Sequence, residues 1–340
     1  MHSPQSARPG TGTPPDRADA LRSALARLLD GLPPRQAAQA VERLIANYRG
    51  STPTDAPVLR DRSDVAAYAA YRMPATFGAV TAALTAFRER LPDWTPAHHV
   101  DVGGGTGAAV WAVAEVWPGP HDRPTTVLDW AEPALAVGRE LAADSGLPVL
   151  RSATWRRAAI GDGLALPDGT DLVTVSYVLK ELAEDGRRAL VDEAARAARA
   201  VVLVEPGTPD GYARIIAARD RLLAAGLRVV APCPHNDACP IEPGTDWCHF
   251  AARVGRSSLH RQVKRGSLPY EDEKFSYVAA VRDSVPGGVA RVVRRPQLRK
   301  GQVLLDLCTP DEGLRRATVT KRQGPVYRAA RDAGWGDTWS

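Results

Sequence analysis

From residue 98 the chain alternates between short apolar runs and helical patterns, and this alternation narrows the possible folds more than any other feature. His98–Val102 reads as a strand, Asp101-Val-Gly103-Gly-Gly105-Thr-Gly107 closes it with a glycine loop, and Ala108–Trp117 reads as a helix. Thr125–Asp129 predicts a second strand, Pro133–Ser145 a helix, and Asp171–Leu179 a strong strand. Glu184–Arg199 predicts another helix and Val201–Glu205 another strand. Strands that alternate with helices bury both faces, so the arrangement expected is an α/β parallel sheet covered by helices on each side. Its extent is set at residues 96–230.

The flanks read differently. Residues 1–16 are rich in Pro, Gly, Ser and Thr and are expected to be disordered. Residues 17–95 are expected to form a helical cap. Leu21, Leu25, Leu28 and Leu29 mark one helix face. Ala38, Val41, Leu44 and Ile45 mark a second within Arg35–Tyr48. A third helix starts near Ser63 and should kink or restart at Pro74, where proline removes a backbone donor. Beyond Ala231 the helical rhythm fades, and Val289–Val293 and Val303–Leu307 read as strands of a C-terminal β region, 231–340.

Charge is unevenly placed. The chain carries a net +5, but residues 251–331 hold 18 basic and 7 acidic residues, +11, leaving −6 for the rest. That asymmetry points to a polyanion such as RNA as a partner of the C-terminal part. No run of 18 apolar residues suggests a membrane span, so no membrane partner is expected. The opening residues hold no apolar secretory core, so a reducing compartment is expected, which argues against disulfides.

All four cysteines of the 340 residues lie in the last third: Cys233, Cys239, Cys248 and Cys308. Four thiolates can ligate an iron–sulfur cluster or a structural zinc. Zinc knuckles usually place cysteines in close pairs on tight turns, and no such pair occurs here. Wide spacing with prolines beside Cys233 and Cys239 favours a cluster; zinc, two disulfides or four buried thiols are the alternatives.

The glycine loop leaves its backbone open to a ligand at the start of a helix. Asp129, ending the next strand, can accept from ribose hydroxyls. Gly103, Gly105 and Ala108 also satisfy the dinucleotide pattern, so NAD is an alternative. An acid two residues before a G-x-G-x-G loop resembles the first motif of class I S-adenosylmethionine-dependent methyltransferases. That resemblance implies cofactor contacts at Asp101, Gly103, Gly105, Gly107 and Asp129, within a Rossmann-like methyltransferase sheet. After the strand at 171, Ser176-Tyr-Val-Leu-Lys-Glu181-Leu lacks the devices of base-amine or pyrimidine-carbon methyltransferases. Tyr177 and Glu181 are the only catalytic candidates there.

Taken together, these residues resemble the methyltransferase-like small-ribosomal-subunit proteins. The matching pieces are Tyr71–Thr76, Asp101–Gly107, Ser176–Leu182, Glu205–Pro209, Cys233-Pro-His235 with Cys239-Pro, Trp247–Phe250 and Leu305–Thr309. The resemblance implies a [4Fe–4S] cluster on Cys233, Cys239, Cys248 and Cys308. It also implies action on the small subunit and its rRNA, as a methyltransferase or an assembly factor. A non-catalytic scaffold and an NAD-dependent oxidoreductase with a cluster are the other readings. The Arg- and Ala-rich composition leads to an expected bacterial cytoplasmic location, and the free protein is expected to be a monomer.

Overall fold

The computed structural model describes residues 17–30, 33–49, 62–119, 123–264 and 267–340. The expected disorder of residues 1–16, the side chains of Leu44 and Ile45, and those of His260, Lys264 and Arg265 fall outside what is described.

The first strands are β1 (His99–Val102), β2 (Thr125–Asp129), β3 (Thr154–Arg157), β4 (Thr170–Ser176) and β5 (Ala198–Pro206). They pair in parallel in the order β3-β2-β1-β4-β5. The parallel α/β sheet read from the sequence is present, but its edge strand β3 was not read, and beyond β5 it is extended by three more strands the sequence did not suggest. Of these, β6 (Arg228–Ala231) and β7 (Phe250–Gly255) both pair with the long β8 (Tyr270–Val281). β8 runs antiparallel to β5 and carries β6 and β7 along its other edge. Residues 250–281 therefore supply strands to the main sheet.

Two helical layers cover the sheet. On one face lie α1 (Arg17–Leu28), α3 (Arg62–Arg90), α4 (Ala108–Val116) and α5 (Glu132–Ala143), sharing a core with Leu172, Ala200, Val202 and Val204. On the other lie α7 (Glu184–Ala197) and α8 (Pro209–Ala224), packed on Val173, Val175, Val201 and Leu203. Adjacent residues of β4 and β5 thus face opposite layers, as the two-residue period of a strand requires. α2 (Pro34–Arg49) packs outside α3, and α6 (Pro148–Arg151) is a single turn before β3.

α3 departs from expectation. It passes through Pro74 without a break. It is surrounded by α1, α2, α4, β7 and β8, and burial of Val65, Met73, Val80, Leu84 and Phe87 holds it together. Burying one such side chain contributes about 1.5–3 kcal/mol, so a handful outweigh the roughly 3 kcal/mol a mid-helix proline costs. β4 also ends earlier than expected, at Ser176, because Tyr177 turns into the left-handed region with φ 64°.

A second, antiparallel sheet sits beyond the cysteine segment. It comprises β9 (Ala290–Val292), β10 (Gln297–Arg299), β11 (Gln302–Thr309), β12 (Gly313–Thr320) and β13 (Thr338–Trp339). α10 (Pro325–Asp332) packs Ala330 against Val292, Val303, Leu305, Leu307 and Val319. α9 (Ser258–Lys264) follows β7 and packs Leu259 beside α2.

Candidate functional site

Two sites lie at the ends of the main sheet. The first is the glycine loop between β1 and α4. Its glycines differ in what a side chain would meet. A Cβ on Gly103 would strike Val178 at 2.2 Å, and one on Gly107 would strike the Trp155 ring at 2.5 Å. Both are required by packing. A Cβ on Gly105 would meet only Asp129 Oδ2, at 3.8 Å, and otherwise open space. The loop is bare only above Gly105, where a ligand could approach the backbone.

Asp129 reaches this space from the end of β2. Its Oδ2 accepts from the Gly105 N–H at 2.8 Å, and its Oδ1 from the Ala131 N–H at 2.8 Å. A carboxylate offers about four acceptor positions, so further hydroxyl donors can still be held. Asp101 is different in character. It is 1% exposed, accepts from Thr174 Oγ1 at 2.7 Å on Oδ1, and leaves Oδ2 buried with no partner. Thr174 in turn meets His99 Nε2 at 2.8 Å, forming a buried chain His99–Thr174–Asp101.

Burial pushes the Asp101 carboxyl up to about 7, against the Thr174 hydrogen bond and with help from Asp129. It pushes His99 down to about 3, with Arg123 assisting. The two act oppositely on stability. Folded Asp101 keeps a proton that the unfolded chain releases near 3.8, so its contribution falls as pH rises from about 4 to about 7 and is flat above. Neutral His99 favours the fold above about 6.5, and that contribution is lost as pH falls toward 3. Asp101→Asn removes the first effect alone. Its unfolding free energy relative to the parent should rise between pH 5 and pH 7, by at most roughly 1.4 kcal/mol per pH unit, and stop rising by pH 8. Calorimetry across that range checks this; a difference equal at pH 5 and pH 8 would refute it.

Tyr177 stands at the C-terminal end of β4, beside this loop. It is the one non-glycine residue at positive φ among the described residues. Its hydroxyl donates to Glu273 Oε1 at 3.0 Å, and Arg72 Nη2 donates to the same oxygen at 3.1 Å. The Arg72 guanidinium lies 5.8 Å from the Tyr177 ring centroid. Burial, then Glu273, raises the tyrosine well above its ordinary value. A hydroxyl so held stays protonated, a hydrogen-bond donor that neither gives up nor takes a proton readily. Glu181 lies in a 3-10 turn, Leu179–Glu181, open to solvent; desolvation nevertheless raises its carboxyl. Beneath them, fully buried Glu205 accepts from the Leu179 N–H at 3.0 Å and from Arg214 Nε at 2.7 Å.

The second site is the cysteine segment between β6 and β7. Cys233 follows β6, Cys248 precedes β7, and Cys239 lies between them. Cys308 arrives from β11, paired with Arg291 of β9 and Leu314 of β12. All four line one apolar-walled cavity with Tyr212 and Arg219, and all four are free thiols. The fold therefore brings the sequence-distant Cys308 to the other three. Among the described residues, no three Cys, His, Asp or Glu side chains lie close enough to hold one metal ion. Tyr212 Oη is 3.1 Å from Cys239 Sγ, and His235 Nε2 is 3.7 Å from Cys308 Sγ. Burial pushes the Cys308 thiol up to about 12, and raises Cys233 and Cys248 as well, with neighbouring thiols adding to it.

Two residues here escaped sequence reasoning. Arg219 and Arg291 are both nearly fully buried. Arg219 donates to the carbonyls of Asp237 at 2.6 Å and His235 at 3.2 Å, and pairs with the exposed Asp220. Arg291 donates to the carbonyls of Pro232 at 3.2 Å and Gly336 at 2.7 Å. One signal could have found Arg219: it shares the apolar stripe of α8 with Ile215, Ala218 and Leu222.

Residues 62–340 match a family model described as mitochondrial small ribosomal subunit Rsm22. The human ribosome assembly protein METTL17, mitochondrial, is 29% identical over 299 residues, covering 79% of this chain and 61% of that protein. The Saccharomyces cerevisiae ribosome assembly protein RSM22, mitochondrial, is 22% identical over 180 residues, covering 34% of this chain and 29% of that protein. The chain thus spans about three fifths of the human relative's length. Among solved structures, a methyltransferase from Aquifex aeolicus described as SAM-dependent covers 66% of this chain and all of its own, at 15% identity and a TM-score of 0.41. A precorrin-6y C5,15-methyltransferase from Geobacter metallireducens covers 59% of this chain and 87% of its own, at 18% identity and a TM-score of 0.38. The bacterial cytoplasmic location expected from composition is overturned, because the curated relatives are mitochondrial proteins of eukaryotes.

Proposed function

This chain belongs to the mitochondrial small ribosomal subunit Rsm22 family, and from that premise we propose that it is a small-subunit assembly protein with two cofactor sites and an rRNA-binding surface. The carrying observation is that one fold presents both the open Gly105–Asp129 cradle and four cysteines around one cavity. In this reading the first holds S-adenosylmethionine and the second a [4Fe–4S] cluster.

The cradle suits the cofactor in three ways. Gly105 leaves room for it, Asp129 retains acceptor positions for ribose hydroxyls, and Asp101 has a buried oxygen without a donor. When bound, S-adenosylmethionine supplies an electrophilic methyl group. Tyr177, Arg72 and Glu273 stand beside the cradle with the Glu273 carboxylate held by the other two, so methyl transfer would rest mainly on placement of the substrate. A second reading, assembly without catalysis, is favoured by the commitment of the Tyr177 hydroxyl and Arg72 to the same Glu273 oxygen.

The cysteine cavity suits a cluster better than zinc. Zinc asks four sulfurs to lie about 2.3 Å from one point, closer than these side chains stand. A four-iron cluster takes its thiolates on different irons, so the sulfurs sit wider apart. The buried guanidinium of Arg291, held by the carbonyls of Pro232 and Gly336, argues for thiolates rather than neutral thiols at this cavity, whichever metal centre holds them. A buried cation satisfied mainly by carbonyls is costly unless an anion stands near, and four thiolates would provide it.

RNA would be held by the basic C-terminal region. Many of its arginines are spent on internal pairs, including Arg253–Asp272, Arg256–Glu271 and Arg316–Asp306. Arg299 and Lys300, exposed at the β10–β11 turn, have no acidic partner among the described residues. The full chain should co-sediment with small-subunit particles and bind their rRNA with a steep salt dependence. Charge reversal at Arg299 and Lys300 together should weaken rRNA binding and lower the log–log salt slope by about two, with cofactor affinity unchanged. Salt-independent binding, or none at low salt, defeats the reading.

A further inference from the structure

A cleft of about 630 Å³ opens beside the cysteine cavity, between the segment leading into β7 and the β11–β12 hairpin. That volume is in the range of small-ligand sites. Its chemistry comes in three kinds. Arg294, Arg295, Arg315 and Arg316 line it, with Asp246 and Asp306 as the acids, a net charge of +2. Arg295 is exposed and has no acidic partner among the described residues. Arg315 pairs with exposed Glu312, and Arg316 with Asp306. The exposed Arg315–Glu312 pair contributes about 0–1 kcal/mol, so a phosphate can take over Arg315 at small cost; Arg316 is held by both oxygens of half-buried Asp306, and Arg294 by Asp246.

The cleft also has an aromatic wall. His249 stacks on Trp247 with ring centroids 5.2 Å apart and meets the Trp335 edge at 4.8 Å. His249 and Trp335 both face the cleft, with Leu307 and Leu314 as apolar floor. Gln297 adds an amide. Cation, ring and hydrogen-bonding groups at one place match the three parts of a nucleotide: phosphate, base face and base edge. The carboxylates of Asp246 and Asp306 favour a base carrying an exocyclic amine, which can donate to them.

We propose that this cleft binds one unpaired nucleotide of RNA. The proposal rests on the RNA-binding reading above and adds to it a discrete pocket, distinct from backbone contacts at Arg299 and Lys300. A base can enter such a pocket only when it is splayed from a helix, so the cleft selects single-stranded or bulged RNA.

The test uses the full chain and two labelled probes, a cytidine hexamer and a blunt RNA duplex with a matched number of phosphates. The parent should bind the hexamer more tightly. Arg295→Ala with Arg315→Ala should lower hexamer affinity about tenfold while leaving duplex affinity within twofold and the melting temperature unchanged. Equal affinity for the two probes, or a proportional loss on both, would reduce the cleft to general basic surface and overturn the proposal while the RNA reading survives. Binding of neither probe sinks both. Free cytidine monophosphate binding as tightly as the hexamer would make this a small-molecule site and overturn the assignment to RNA.

Discussion

Replacing Cys308 by serine should strip the protein of iron and loosen its whole C-terminal sheet. Protein purified without oxygen should be brown and hold about four irons per chain, as a [4Fe–4S] centre requires. Cys308→Ser and Cys248→Ser should each remove nearly all of it. The structural effect should be largest for Cys308. That residue comes from β11, whereas the other three come from the segment between β6 and β7. A shared cluster would tie the small sheet to the large one, and its binding free energy would then be part of the folding free energy. Amide exchange should therefore rise across β9 and β11 in Cys308→Ser and stay low in the parallel strands. Tyr212→Phe, which removes only the hydroxyl near Cys239, should keep its iron. One zinc per chain with no iron, or full iron in both serine variants, would end the cluster reading.

Much of the architecture was legible because β1, β2, β4 and β5 are largely buried, whereas β3, Thr-Trp-Arg-Arg and mostly exposed, gave no strand signal. β2 begins and ends where the sequence predicts, at Thr125 and Asp129. The errors have local causes. β8 went unread because its first half carries four consecutive charged residues, Glu271–Lys274, exposed or half-buried, and only its second half is buried. α8 was missed because Arg214, Arg219 and Arg221 interrupt its apolar pattern, one of them on the buried face. Pro74 promised a break that packing around α3 overrides. At the sites, residue type was visible and partnership was not. Asp129 and Gly105 were readable as a pair of motifs, but nothing local indicated that Glu273 would join Tyr177 to Arg72 across three elements. The same holds for Arg291, whose role depends on carbonyls 59 and 45 positions away.

Asp129→Ala should lower S-adenosylmethionine affinity by about two orders of magnitude. Hydrogen bonds to a charged group contribute about 1.5–3 kcal/mol each, and 1.4 kcal/mol is tenfold in affinity, so losing a charged ribose acceptor reaches that scale. Asp129→Asn keeps one acceptor oxygen and should lose less. Because Asp129 also braces the loop through the Gly105 and Ala131 amides, glycine variants are needed to separate ligand contact from loop geometry. Gly105→Ala places a methyl group in the open space and nearest to Asp129, at 3.8 Å. Its cost to the fold is the positive φ of 52° alone, about 1–2 kcal/mol. Gly107→Ala combines a φ of 86° with a 2.5 Å clash on the Trp155 ring. Gly105→Ala should therefore fold with a modest drop in melting temperature and lose the cofactor, whereas Gly107→Ala should lose stability first. Isothermal titration with S-adenosylmethionine, its demethylated product and NAD reads the outcome. Tighter binding of NAD, or unchanged S-adenosylmethionine affinity in Gly105→Ala, would mean that the space above Gly105 is not where this cofactor lies.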